Sequence, residues 1–268
     1  MLSSDFFLQP QNFKDGLSVG VKGLLSVGDR RIAYEQIDGR HPGVMFCGGF
    51  MSDMSGSKAS ALAAHCAASG RAFVRFDYSG HGESDGRFVD GTIGRWRDEA
   101  LAVLDGLTVG PQVVVGSSMG GWIALLLALA QPQRVRGLVL LAPAPDFTQA
   151  IWDHELAVAE RARLLQDGHM ERPSEYSAEP YVITWQLIED GRRHLLLENP
   201  IDIRCPVRIL HGMRDGDVAW ERSIMLVERL QGSDTCLTLL KSGDHRLSTA
   251  DDLARLCAVV DNLCASAG

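Results

Sequence analysis

Basic runs are missing from this 268-residue sequence, in which 34 Asp and Glu outnumber 26 Lys and Arg for a formal net charge of −8. Nucleic-acid binding rests on clustered Lys and Arg set against phosphate, so no nucleic-acid partner is expected. Long hydrophobic runs are missing as well. The longest, Trp122 to Ala130, falls far short of the ~20 apolar residues that a membrane-spanning helix needs, so no membrane span is expected. Cysteine is sparse and wrongly spaced for metal or dithiol chemistry. Cys47, Cys66, Cys205, Cys236, Cys257 and Cys264 form no Cys-x-x-Cys pair. Cys257 and Cys264 recur on one helical face and read as core packing. Reduced thiols fit a cytoplasmic protein. The opening stretch MLSSDFFLQPQNFKDG suits neither a signal peptide nor a transit peptide, since it lacks a long apolar run and has no Arg. Nucleotide fingerprints are absent too. No G-x-G-x-x-G follows a first strand, and Gly56-Ser57-Lys58 lacks the Gly-Lys adjacency of a P-loop. No metal or organic cofactor is expected.

What is present is a hydrophobic content of 46%, enough for one large core with an inserted lobe. Short β-rich runs alternate with helical patterns. Strands are expected at Val44–Cys47, Ala72–Phe76, Val113–Val115, Val135–Leu141, Val207–Leu210 and Leu237–Leu240. Helices are expected at Ser57–Ser69, Trp96–Leu107, Met119–Ala130, Trp220–Leu230 and near the C-terminus, where Ser248 and Asp251 form an S-x-x-D start signal. More polar segments at Leu24–Val27 and Arg31–Gln36 fit an antiparallel edge hairpin. This alternation predicts an α/β fold with a mostly parallel, eight-stranded sheet flanked by helices. The rhythm breaks between Leu141 and Val207, where Ile151–Leu165 and Tyr181–Ile188 read as helical. That interval is too long for a loop, and predicts a small helical cap over residues 144–203. Residues 1–143 and 204–268 would form the core.

Gly116-Ser117-Ser118-Met119-Gly120 matches G-x-S-x-G in one frame only, with Ser118 at its centre. A serine at a strand-to-helix corner sits in a strained turn that pushes its side chain out above the sheet. The following helix aims its N-terminal amides at the same spot. Ser117, one step back, is expected to turn into the fold.

A serine hydroxyl needs a neighbouring base. Of the eight histidines, His245 alone stands directly after the last strand and before the last helix, at the sheet edge where such folds place ligands. His41 and His65 read as surface or packing residues, His211 as the residue that closes a strand just before Gly212, more often a turn position, and His81 as a structural residue near the same edge. His154, His169 and His194 fall in the cap. The acid that orients the base is expected at Asp215, first of two aspartates after the preceding strand, with Asp217 and Asp146 as alternatives. The chain order Ser118, Asp215, His245 is the order of triad members in α/β-hydrolases. Two backbone N–H groups would complete an oxyanion hole. One is that of Met119. The other belongs to the Cys47-Gly-Gly-Phe-Met51 loop, at Phe50 or, one residue on, at Met51.

These motifs resemble the α/β-hydrolase superfamily. The stretches Gly49–Lys58, Arg75–Gly80, Val115–Trp122, Leu210–Asp215 and Gly243–Arg246 are similar to the branch that includes the mitochondrial palmitoyl-protein thioesterase and acyl-glucuronide esterase of animals, with bacterial relatives. The resemblance runs from about residue 40 to the C-terminus and is weakest in the cap. It implies the α/β-hydrolase fold and a catalytic triad at Ser118, Asp215 and His245. Val218-Ala219-Trp220 departs from the branch's Val-Pro-Trp. The expected substrate is a small-molecule acyl ester or thioester. The same triad could also serve C–C hydrolysis or perhydrolysis, and a non-catalytic binding protein on this scaffold is the third reading. Apolar residues on the cap would suit a homodimer.

Overall fold

The computed structural model describes residues 20–172 and 180–265. The opening stretch and part of the Pro- and Ser-bearing interval after Gly168 lie outside them. An eight-stranded sheet runs in the order β1-β2-β4-β3-β5-β6-β9-β10. Its strands are β1 (Val21–Val27), β2 (Arg30–Ile37), β3 (Arg40–Cys47), β4 (Arg71–Phe76), β5 (Gln112–Ser117), β6 (Val135–Leu141), β9 (Val207–Gly212) and β10 (Thr235–Leu240). Along this sheet the pairings β4-β3-β5-β6-β9-β10 are all parallel. The β1–β2 hairpin expected at the edge is antiparallel, and β2 joins β4 antiparallel.

Both faces of the sheet are covered, which is why β5 reads as a continuous apolar run. Successive side chains point to opposite faces. Val114 packs with Trp96, Trp122 and Leu125. Val113 and Val115 pack with Leu62, Cys66, Leu256 and Val260. The first face is covered by α2 (Ile93–Leu107) and α3 (Met119–Ala130), the second by α1 (Ser57–Ser69) and α8 (Ala250–Ala265). Helix α3 is buried from Met119 to Ala128, so its sequence is apolar all round. Among the described residues no helix is long and apolar enough to cross a membrane.

The segment between β6 and β9 holds α4 (Phe147–Ala150), a π-helical turn at Ile151–Glu155, α5 (Val158–Asp167), an antiparallel ribbon of β7 (His169–Arg172) and β8 (Tyr181–Thr184), and α6 (Trp185–Gly191). Two helical expectations are corrected here. Tyr181–Thr184 is a strand, because Val182, Ile183 and Thr184 favour extended backbone and pair with His169–Arg172. Thr184 then caps α6, accepting the Leu187 N–H at 3.1 Å. The helix expected over Ile151–Leu165 breaks at Leu156, whose backbone is extended.

Helix α7 (Glu221–Arg229) follows β9. The α8 cap is also corrected, by one residue. Thr249 and Asp252, not Ser248 and Asp251, exchange the capping bonds, with Asp252 N–H donating to Thr249 Oγ1 at 3.2 Å and Thr249 N–H to Asp252 Oδ2 at 3.1 Å.

Candidate active site

Ser118 stands between the end of β5 and the start of α3 with φ 54° and ψ −119°. A non-glycine residue in this region is strained, and the surroundings must hold it there. Ser118 N–H donates to Leu141 O at 2.9 Å, while Ser118 O accepts from Gly121 at 2.9 Å and Ala144 at 3.1 Å. The two flanking glycines are required by backbone approach. A Cβ at Gly116 would overlap the Gly120 carbonyl, and one at Gly120 would overlap Cys47 O. Ser117 is 7% exposed and turns inward, as expected.

His245 follows β10 and faces Ser118, with Nε2 3.1 Å from Oγ. Its Nδ1 lies 2.7 Å from Asp215 Oδ2. Asp215 has no exposed side-chain surface. Its Oδ1 accepts the N–H groups of Asp217 at 2.9 Å and Val218 at 2.8 Å. Burial alone would raise the Asp215 carboxyl. The bonds from His211 and His245 outweigh it and hold the group well below the usual carboxylate range. Ser118, His245 and Asp215 therefore form one continuous line of hydrogen-bonding groups.

The loop after β3 lies against this line. A Cβ on Gly49 would sit 3.5 Å from Ser118 Cβ. His81 decides which amide of that loop is available. Its Nδ1 is 3.2 Å from Ser79 O, an acceptor, so the proton belongs on Nδ1. Its Nε2 then accepts the Met51 N–H at 3.2 Å. Burial lowers the His81 pKa and keeps the ring neutral, as this role requires. Met51 N–H is thus occupied. Among the described residues, neither Phe50 N–H nor Met119 N–H meets a protein acceptor.

The Phe50 ring packs edge-on against Phe88 at 4.8 Å, Phe147 at 5.5 Å and Tyr181 at 6.1 Å between centroids. Phe147 and Tyr181 come from the inserted segment, so that segment packs aromatic rings against the loop that follows β3. Lys58, at the start of α1, donates to the Arg246 carbonyl and fastens the loop that carries His245. Its pKa is lowered to about 8 by burial, then by the Arg246 charge.

The other candidates have different partners. Asp146 accepts from Leu196 and Leu197 amides at 2.8–3.1 Å and anchors the inserted segment. Asp217 is exposed and supports Asp215 through its N–H. His65 pairs with Asp261 at 2.9 Å, and His194 with Asp190 at 3.6 Å. His169 lies 3.1 Å from Asp167 O. His211 stands near the end of a strand, as expected, but it is fully buried and 3.1 Å from Asp215, and the strand runs on through Gly212 without a turn there.

A family model described as the alpha/beta hydrolase fold matches residues 42–167. The mitochondrial palmitoyl-protein thioesterase ABHD10 of Mus musculus is 40% identical over 233 residues, covering 87% of this chain and 78% of that protein. The chain belongs to the alpha/beta hydrolase family. A solved structure of alpha/beta hydrolase domain-containing protein 10 from mouse matches this hydrolase at TM-score 0.86 and 37% identity, covering 92% of it and 100% of the mouse chain. A crystal structure from Agrobacterium vitis S4 matches at TM-score 0.86 and 43% identity, covering 92% and 99%.

One feature of the hydrolase suggests a cation. Atoms of Asp215, Asp217 and His245 lie within 4.8 Å of one another. Both His245 nitrogens and both Asp215 oxygens already face protein partners. A metal ion would have to displace those bonds, so this donor set does not fit one.

Proposed function

We propose that this alpha/beta hydrolase cleaves carboxylic esters or acyl thioesters through Ser118, His245 and Asp215, by way of an acyl-enzyme. The reading rests chiefly on one observation, the unbroken line from Ser118 Oγ to His245 at 3.1 Å and from His245 to Asp215 at 2.7 Å. His245 Nε2 takes the Ser118 proton as Oγ attacks the acyl carbonyl. The carbonyl oxygen gains negative charge and is held by the Phe50 and Met119 amides, each such donor contributing about 3 kcal/mol at the transition state. His245 returns the proton to the leaving alcohol or thiol. Water, activated by the same imidazole, then attacks the acyl-serine and releases the acid. Asp215 stays ionised throughout and fixes the imidazole tautomer. No metal or organic cofactor has a part in this scheme.

The thioester arm draws on the printed name of the mouse relative. The aromatic cluster of Phe50, Phe147 and Tyr181 suits an apolar acyl or aryl group. The same reading puts the protein in the cytoplasm, on its free thiols, whereas the named relative is mitochondrial. It also allows a homodimer through Val158 and Leu165, which are 82% and 53% exposed on α5.

A fluorophosphonate probe tests the central claim. Native protein is expected to be labelled, Ser118→Ala not at all, and Ser117→Ala nearly as fast as native. Unlabelled native protein, or equal labelling of native and Ser118→Ala, would sink it. Rates on p-nitrophenyl esters against acyl thioesters of increasing chain length then set the substrate. Cell fractionation and light scattering address location and assembly.

A further inference from the structure

Asp215 carries a second serine–histidine arm. His211 Nε2 lies 3.1 Å from Asp215 Oδ2, the same oxygen that faces His245, and 3.0 Å from Val218 O. His211 Nδ1 lies 2.6 Å from Ser223 Oγ, on α7. Ser223, His211 and Asp215 therefore repeat the connectivity of Ser118, His245 and Asp215 around one carboxylate.

Burial separates the two arms. His211 and Ser223 both have 0% exposure, so no substrate reaches that hydroxyl. Ser223 also lies inside a regular helix, without the positive φ that exposes Ser118. The second arm has a different task.

The proton positions on His211 follow from its partners. An ionised carboxylate and a carbonyl only accept, so Nε2 carries the proton and shares it between Asp215 Oδ2 and Val218 O. In the neutral ring Nδ1 is then the acceptor, and Ser223 O–H donates to it. Asp215 and Val218 thus set the His211 tautomer, and Ser223 satisfies Nδ1 and holds the ring in its plane.

We propose that His211 is a positioning residue for the hydrolysis, holding the Asp215 carboxylate in the one rotation that meets His245 Nδ1–H, with Ser223 holding His211. A carboxylate on a single-carbon stem turns readily about its last bond. Two amides pin Oδ1 of Asp215, and His211 pins Oδ2 from the buried side. The remaining lone-pair direction on Oδ2 faces His245. Backbone packing keeps the two loops in step. A Cβ at Gly212, directly after His211, would overlap the carbonyl of Gly243, two residues before His245.

This inference rests on the proposed role of Ser118, Asp215 and His245, and the test separates the two. His211→Phe removes the N–H donor and keeps the bulk. His211→Gln places an amide nitrogen near the former Nε2. Ser223→Ala removes the bond that holds His211 Nδ1 without touching Asp215. Turnover of p-nitrophenyl butyrate and fluorophosphonate labelling rates are measured on each, after thermal melting confirms folding.

His211→Phe is expected to lose about 30-fold in kcat with KM within about 2-fold of native, since orientation of the base and not substrate binding is affected. His211→Gln is expected to recover to within about 5-fold of native, and Ser223→Ala to lose about 5-fold in kcat. Native kcat in His211→Phe, or a Gln variant as impaired as the Phe variant, overturns the proposal. If His211→Phe does not fold, native kcat in Ser223→Ala overturns it instead. Failure of the native protein to label would refute the Ser118 reading itself. Labelling of native and His211→Phe at equal rates would refute only the role of His211.

Discussion

Asp190, on the inserted segment, accepts the Gly94 N–H at 2.7 Å in the first turn of α2. A carboxylate at a helix N-terminus gains from both the free amide and the helix dipole. The insertion is therefore fastened to the core by charge as well as by packing. Burial would raise the Asp190 carboxyl, but the bonds from His194 and Gly94 outweigh it and lower its pKa to about 2.

The sign of the resulting pH dependence is fixed. A carboxyl whose folded pKa is depressed stabilises the fold above its unfolded value, near 3.8, and loses that contribution as pH falls to about 2. Asp190→Asn is expected to cost about 2 kcal/mol at pH 7. Urea midpoints of native and variant protein should differ by a constant amount from pH 7 to about pH 5 and converge below about pH 4. A gap that widens on acidification would contradict this account.

Gly120→Ala should be among the most damaging single changes at the elbow. The added methyl group would overlap Cys47 O. Overpacking against rigid backbone costs typically 1–3 kcal/mol, and here it also displaces the loop that carries Phe50. A lowered melting temperature together with slower fluorophosphonate labelling is expected. Unchanged labelling would show that the loop tolerates the shift.

His81→Leu removes the acceptor for Met51 N–H and leaves that amide without its partner. Loss of loop order should lower kcat by about 10-fold, consistent with a weakened oxyanion donor. In the native protein a lowered folded pKa at His81 means that stability is full above about pH 6.5 and declines as pH falls further. The leucine variant should lack that decline, which denaturation between pH 7 and pH 5 would reveal.

Asp215→Asn and Asp217→Asn separate the two candidate acids. The first should reduce kcat by about 10³- to 10⁴-fold, since an amide favours the wrong imidazole tautomer. The second should change kcat by less than about 3-fold, because Asp217 supports Asp215 through its backbone N–H. Comparable losses in both variants would reassign the acid.

The parts of the site that were legible in the sequence are those with a local cause. Gly116 and Gly120 are there because no Cβ fits, and that constraint shows as a spacing. Asp215 and His245 follow strands whose apolar runs are easily read. The partnership of His211 is only half legible: Asp215 is four residues on, but Ser223, which meets its other nitrogen, is 12 residues away on a helix. Asp146 reads as a plausible acid in the sequence because its partners, Leu196 and Leu197, lie 50 and 51 residues away. The β7–β8 ribbon is hidden in the sequence for a similar reason. Four-residue strands leave too short a pattern to separate extended from helical backbone, and pairing with a partner strand decides the matter.

Phe50 faces two ways. Its main chain lies at the proposed oxyanion site, while its ring is wedged among Phe88, Phe147 and Tyr181. Appetite for a substrate and speed upon it are thereby geared to a single residue. A lineage that changes Phe147 or Tyr181 would also nudge the amide proposed to steady the reacting carbonyl. New substrates would then arrive slowly at first, with later changes needed to restore pace.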